Sequence, residues 1–237
     1  MKKNNTREEF PQLFKVSVII PALNPPKTLI ELVHDLKTGG IQKIVVINDG
    51  SSKDYKEIFD KVSEMGATVL KHPINRGLGA AIKTGVAYVE QNHLSSIGVI
   101  TVDCDGQHAT NDVIKMATIL KENPGSVVLG VRHISLFKLP LRSFIGNFFA
   151  KIIFLILKRK RISDTQCGLR AFPISLVPHL LSLSGQKFEY ITQMLVYLVR
   201  SDTHIIQTPV ETIYAKHIGS HFRPIVDSWA IIKALVK

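Results

Sequence analysis

From Lys15 onward, short runs rich in Val and Ile alternate with longer amphipathic stretches, and this rhythm limits the fold more than any other feature of the chain. Neighbouring parallel strands must be joined by a crossover, usually a helix, so the alternation predicts a mostly parallel sheet flanked by helices, an α/β fold. Five strands are expected: Lys15 to Pro21, Lys43 to Asn48, Ala67 to Lys71, Ile97 to Asp103 and Ser126 to Val131. Helices are expected between them over Lys27 to Lys37, Lys53 to Met65, Leu78 to Gln91 and Asn111 to Lys121. Beyond Arg132 the rhythm lapses. An apolar, basic section (Leu139 to Arg161) leads to a polar loop (Ser163 to Arg170), a helix (Glu189 to Val199) and a last strand near Thr203 to Glu211. The expectation is one domain over 15–237 behind an N-terminal tail of 1–14.

Composition narrows the class. With 237 residues, 45% hydrophobic and 21% charged, the chain can bury one core and does not read as disordered or as a multi-span membrane protein. Thirty Lys and Arg against nineteen Asp and Glu give a formal charge of +11, which predicts attraction to polyanions. Nucleic acid is not the expected partner, because no basic stripe is interleaved with aromatics, which total 7%. Phosphorylated ligands and an anionic bilayer surface are. Cys104 and Cys167 stand far apart, which excludes a disulfide framework and points to a reducing compartment. The first ten residues lack the apolar stretch of a signal peptide. The longest apolar run, Phe144 to Leu157, is broken by Asn147 and Lys151 and is shorter than the roughly 20 residues of a spanning helix. The expected location is therefore cytoplasmic.

In an open α/β sheet, ligands bind beyond the carboxyl ends of the strands. Here those ends carry Pro21 to Asn24, Asn48 to Ser52, His72 to Gly79, Asp103 to His108, and Arg132. Any one of these stretches reads as turn chemistry; their concentration on one edge reads as a site. Asp103-x-Asp105-x-Gln107 is the sharpest of them. Two carboxylates and an amide oxygen leaving a strand suit a hard divalent cation, Mg2+ or Mn2+, which neutralises a departing diphosphate. No dinucleotide fingerprint, P-loop or nucleophile elbow is present.

Five motifs in order, VSVIIPALN, VVINDGSSKD, HPINRGLGAAIKTG, VDCDGQH and DTQCGLRAF, resemble family-2 glycosyltransferases with the GT-A fold. The branch they are most similar to is the dolichyl-phosphate mannose synthase-like group, which glycosylates polyprenyl phosphates. The resemblance implies a UDP- or GDP-sugar donor held in 15–135 and an acceptor and membrane-facing half in 136–237. It implies that Pro21, Asn24, Asp49, Arg76, Gly77 and Asp103 bind the donor. Asp103, Asp105 and Gln107 would hold the metal, making Asp105 catalytic. One departure stands out: the family's P-x-Y-N-E reads Pro21-Ala22-Leu23-Asn24-Pro25, without the aromatic ring and the carboxylate. Two other readings stay open, a non-catalytic nucleotide-sugar-binding subunit and a haloacid-dehalogenase-type phosphatase. The phosphatase would place Asp-x-Asp on the first strand and Thr or Val where Gln107 stands.

A phosphate acceptor is already largely dianionic at neutral pH and needs cations to place it. Arg132, Arg142 and Arg170 are the candidates, each also readable as an ordinary surface arginine. Arg142 is counted with the catalytic residues. If the acceptor needs a general base, the resemblance implies Asp164, whose loop it sets facing the active site; the alternative is a cap on Thr165 to Gly168. The stretch from Ser143 to Arg161 combines an apolar face with a basic end, as an interfacial helix does, and reads equally as a core helix with a basic tail. A membrane-associated enzyme of the cell envelope follows, peripheral at the inner face of the cell membrane, with a separate membrane subunit as a possible partner.

Overall fold

A computed structural model describes residues 15–132, 162–211 and 213. Seven strands form one sheet: β1 (Val16–Ala22), β2 (Lys43–Asn48), β3 (Thr68–Lys71), β4 (Gly98–Thr101), β5 (Val127–Arg132), β6 (Arg170–Pro173) and β7 (Ile205–Val210). Six α-helices accompany them among the described residues: α1 (Thr28–Thr38), α2 (Lys56–Glu64), α3 (Leu78–Asn92), α4 (Thr110–Glu122), α5 (Val177–Ser182) and α6 (Glu189–Arg200). The strand order is β3-β2-β1-β4-β6-β5-β7. Strands β3, β2, β1 and β4 run parallel, whereas β6 is antiparallel to both β4 and β5.

Strand alternation sorts the core into two layers. Val16, Val18 and Ile20 of β1 pack with Leu29, Val33 and Leu36 of α1 and with Val113, Met116 and Leu120 of α4. Ile19 belongs to the opposite layer, with Val45, Ile47 and Val99 and with Val86 and Val89 of α3 and Met194 and Leu198 of α6. Both faces of the central strands are thus covered, which explains their near-continuous apolar runs.

Three sequence expectations change. The segment expected as one helix over Lys53 to Met65 begins as a 3₁₀ turn (Lys53–Tyr55), closed by Tyr55 N–H to Ser52 C=O at 3.2 Å, before α2 starts. The fourth strand stops at Thr101, so Asp103 stands in the loop beyond it. The polar loop from Ser163 ends in a strand, β6, that the sequence reading had not recognised. The section Leu139 to Arg161, with Arg142 and the interfacial-helix candidate, and the chain from 214 on lie outside the described residues.

Candidate active site

The loops after β1, β2, β3 and β4 meet at one sheet edge, with Pro21 near the end of β1. Asn24 ties the first two together. Its amide N–H donates to Ser51 Oγ at 2.9 Å and its side-chain oxygen accepts Ser52 N–H at 3.0 Å. Asn24 holds φ 48, a left-handed conformation that Asn tolerates better than most residues. Beneath them Gly50, at φ +76, lets the loop after β3 close down: a Cβ there would stand 2.3 Å from Asn75 N and 2.4 Å from Ile74 C.

Asp49 is buried, and its carboxylate is heavily engaged. Oδ1 accepts Arg76 N–H at 2.9 Å and lies 2.6 Å from His72 Nδ1, while Oδ2 accepts Gly77 N–H at 2.8 Å. Asp49 therefore grips the backbone of the very residues, Arg76 and Gly77, expected beside the nucleotide. His72 heads one of the strand-end stretches singled out in the sequence but was assigned no role of its own; it reaches Asp49 across 23 positions.

At the end of β4, Asp103 and Asp105 are half-buried in a tight turn. Asp105 Oδ1 accepts Gln107 N–H at 3.0 Å. Burial and the charge of Asp103 raise the Asp105 pKa above the ordinary carboxylate range. Burial pushes Asp103 the same way, but His108, through a hydrogen bond and its charge, together with Arg170 and Arg132, outweighs this and leaves its pKa lowered. His108 Nε2 sits 3.3 Å from Asp103 Oδ2, and its buried Nδ1 has no protein partner among the described residues. On the other side Gly168 lies flat against Asp103. A Cβ at Gly168 would stand 2.1 Å from Asp103 Oδ2 and 2.4 Å from Oδ1. A side chain at 168 would have to displace the Asp103 carboxylate.

Gly168 belongs to the loop from Ser163 to Leu169, which is held by two ionic groups. Asp164 accepts Arg132 Nε at 2.7 Å and Nη2 at 3.1 Å, and also the N–H groups of Gln166 and Cys167 at 2.9 and 3.1 Å. Burial raises the Asp164 pKa, yet the hydrogen bond and charge of Arg132 outweigh it, so the net shift is downward. A carboxylate so occupied is a poor general base, and the capping alternative describes its place better. The acceptor-contact expectation for Arg170 needs correction. Arg170 is 2% exposed, and its guanidinium donates to Cys167 O at 2.9 Å and Thr165 O at 2.8 Å, bracing the loop from within. Arg132 keeps a partly exposed side chain at the loop's edge.

The donor set of hard oxygens fits a divalent cation, since Asp105 ionises against burial and a neighbouring negative charge that a cation would relieve. Among the described residues no cluster of three or more His, Cys, Asp or Glu side chains forms a cage. Gln107 and ligand oxygens would have to complete the coordination of such an ion.

The family model described as glycosyl transferase family 2 matches residues 17–173, more than half of the chain and every loop just described. The chain belongs to glycosyl transferase family 2. That membership removes the phosphatase reading and makes the protein a glycosyltransferase. Its relatives include a UDP-N-acetylglucosamine–dolichyl-phosphate N-acetylglucosaminyltransferase of Methanococcus voltae, 27% identical over 220 residues, which span 85% of this chain and 87% of that protein. They also include an undecaprenyl-phosphate 4-deoxy-4-formamido-L-arabinose transferase of Salmonella paratyphi B, 31% identical over 182 residues, 70% of this chain and 51% of that protein. Both are named for polyprenyl-phosphate acceptors. Glucosyl-3-phosphoglycerate synthase of Mycobacterium tuberculosis, solved with UDP, shares the GT-A fold with a TM-score of 0.68 at 18% identity, over 100% of this chain and 85% of that one.

Proposed function

We propose that this family 2 glycosyltransferase is metal-dependent and inverting, and that it moves a sugar from a UDP- or GDP-sugar to a polyprenyl phosphate at the cytoplasmic face of the membrane. The observation that carries the acceptor class is the Arg132–Asp164 pair. The carboxylate best placed to deprotonate an alcohol is committed to Arg132, and its pKa is held low, so the chemistry suits a nucleophile that arrives ionised. A phosphate monoester does so, with a second ionisation near pH 6. Arg132, oriented by Asp164, would supply the cation that places it, and Arg142 would assist. The names of the two relatives support the same acceptor.

On the donor side Pro21, Asn24, Asp49, Arg76 and Gly77 would hold the nucleoside, and Asp103 the ribose and diphosphate. Asp103, Asp105 and Gln107 would hold Mg2+ or Mn2+, which when bound neutralises charge on the leaving diphosphate. A neighbouring structure of the mycobacterial synthase with Mg2+ and UDP, and another with Mn2+ and UDP-glucose, support such a cofactor. Among the described residues no helix is long and apolar enough to cross a membrane. Surface segments or a membrane subunit would supply contact with a lipid-linked acceptor.

The test is transfer from a panel of UDP- and GDP-sugars to undecaprenyl phosphate with Mn2+. Asp105→Asn should lower turnover by about 10²-fold or more with unchanged circular dichroism. Nucleotide binding without transfer from any donor would overturn the proposal, and an active Asp105→Asn would remove the metal assignment.

A further inference from the structure

The loop after β3 rests its backbone on Gly50, but its side chains add little to the core. Pro73, Ile74, Asn75 and Arg76 are all exposed, Ile74 by 69%. What fixes its ends is one carboxylate. Asp49 binds the N–H groups of Arg76 and Gly77 at the far end, and His72 at the near end. The main chain of His72 adds a bond from its N–H to Asn48 O at 2.9 Å, which anchors the near end to β2.

Asp49 already accepts two backbone N–H groups, and His72 Nδ1 lies 2.6 Å from the same carboxylate, where a ring N–H would add a third. The other ring nitrogen is not idle. Nε2 lies 2.9 Å from Thr84 Oγ1, on the second turn of α3. Thr84 therefore sets the ring orientation, the ring orients the carboxylate, and the carboxylate sets the backbone at Arg76 and Gly77. Gly77 is the residue from which α3 starts. The line from Thr84 through His72 and Asp49 thus returns to the N-terminus of the helix it began on, enclosing the loop. Of about four acceptor positions on a carboxylate, three are used by the protein.

We infer that His72 is a positioning residue for donor binding: through Asp49 it holds the Arg76–Gly77 backbone in the shape that receives the nucleotide. This rests on the donor site proposed above and adds a buried residue that acts through Asp49. Its effect is confined to nucleotide affinity, because Asp103 and Asp105 stand on a different loop.

Amide substitutions separate the two ring nitrogens. The nitrogen of Asn overlies Nδ1 and can still donate to Asp49; that of Gln overlies Nε2 and reaches only toward Thr84. Calorimetric binding of UDP and GDP, with KM and kcat for the sugar nucleotide that supports transfer, should rank His72→Asn near wild type. His72→Gln should bind on the order of tenfold more weakly, the loss of one charge-assisted hydrogen bond, with kcat within about threefold. Thr84→Val should fall between them. Equal affinity for His72→Gln and wild type overturns the inference, as does an equal loss in His72→Asn and His72→Gln, or a fall in kcat at constant KM. If His72→Gln does not fold, the comparison of His72→Asn with Thr84→Val decides: wild-type affinity in Thr84→Val overturns it. A wild-type protein that binds neither UDP nor GDP sinks the donor site itself, and the inference with it; binding by wild type confines any failure to His72.

Discussion

Replacing Gly168 by Ala adds one methyl group where the structure has no room for it. The new Cβ would stand 2.1 Å from Asp103 Oδ2 and 2.4 Å from both Oδ1 and Cγ, against the 3.4 Å at which ordinary contact begins. Something must yield by more than about 1 Å, well beyond what a close-packed interior absorbs. The loop cannot retreat freely. Thr101 Oγ1 donates to Gly168 O at 2.9 Å, and Arg170 Nε donates to Cys167 O at 2.9 Å, so withdrawal would leave buried groups unpaired at about 1–3 kcal/mol each. Rotating the Asp103 carboxylate is the easier relief. It moves an oxygen that, under the proposed function, would serve the metal and the diphosphate by about 1 Å, and a displacement of that size would cost on the order of 10²-fold in rate, about 2.7 kcal/mol. Turnover of Gly168→Ala should therefore fall about 100-fold and Mn2+ titration should show weaker binding, while the melting temperature shifts by only a few degrees. Wild-type turnover with wild-type Mn2+ affinity would refute the claim that this glycine exists to admit Asp103.

Two further outcomes follow from the same region. Burial raises the Asp164 pKa, but Arg132 more than reverses this, so the folded value lies below the unfolded one near 3.9. A lowered carboxylate pKa stabilises above the unfolded value, and this contribution disappears as pH falls through the folded value. Asp164→Asn should cost about 2–3 kcal/mol in chemical denaturation, evenly from pH 8 to about pH 5, and the gap to wild type should close below about pH 4; a gap already closed at pH 6 would contradict the pairing. Burial likewise pushes the thiols up, Cys104 to about 12 and Cys167 to about 11. Iodoacetamide at pH 7.5 should leave both unmodified in the native protein and label both after denaturation, as read by mass spectrometry.

The strands and the edge at which the candidate loops meet were legible because β-branched runs of strand length leave few other folds, and because Asp103-x-Asp105 interrupts an apolar run abruptly. The fourth strand was read two residues too far at its carboxyl end, since Val102 continues the apolar pattern although the pairing has ended. What the sequence concealed were pairings between distant residues. Four residues, Arg170–Pro173, form β6 without any periodicity that announces an antiparallel insertion. The same blindness made Arg170 look like a surface cation; its burial depends on the carbonyls of Cys167 and Thr165 folding back over it. Asp164 looked like a candidate base because nothing in its neighbourhood reveals Arg132, 32 positions away.

The antiparallel strand β6 also governs how this molecule could be taken apart. It is wedged between β4 and β5, which are separated from it in sequence by the whole of 133–161, so the carboxyl-terminal region donates a plank to the middle of the floor. No cut after β5 yields a self-sufficient nucleotide-binding fragment, because β4 would lose the partner on its outer side and Asp103 the wall at Gly168. A chimera that exchanges carboxyl-terminal regions between relatives must therefore carry β6 together with the loop leading into it, or it will lose the contact between Gly168 and Asp103.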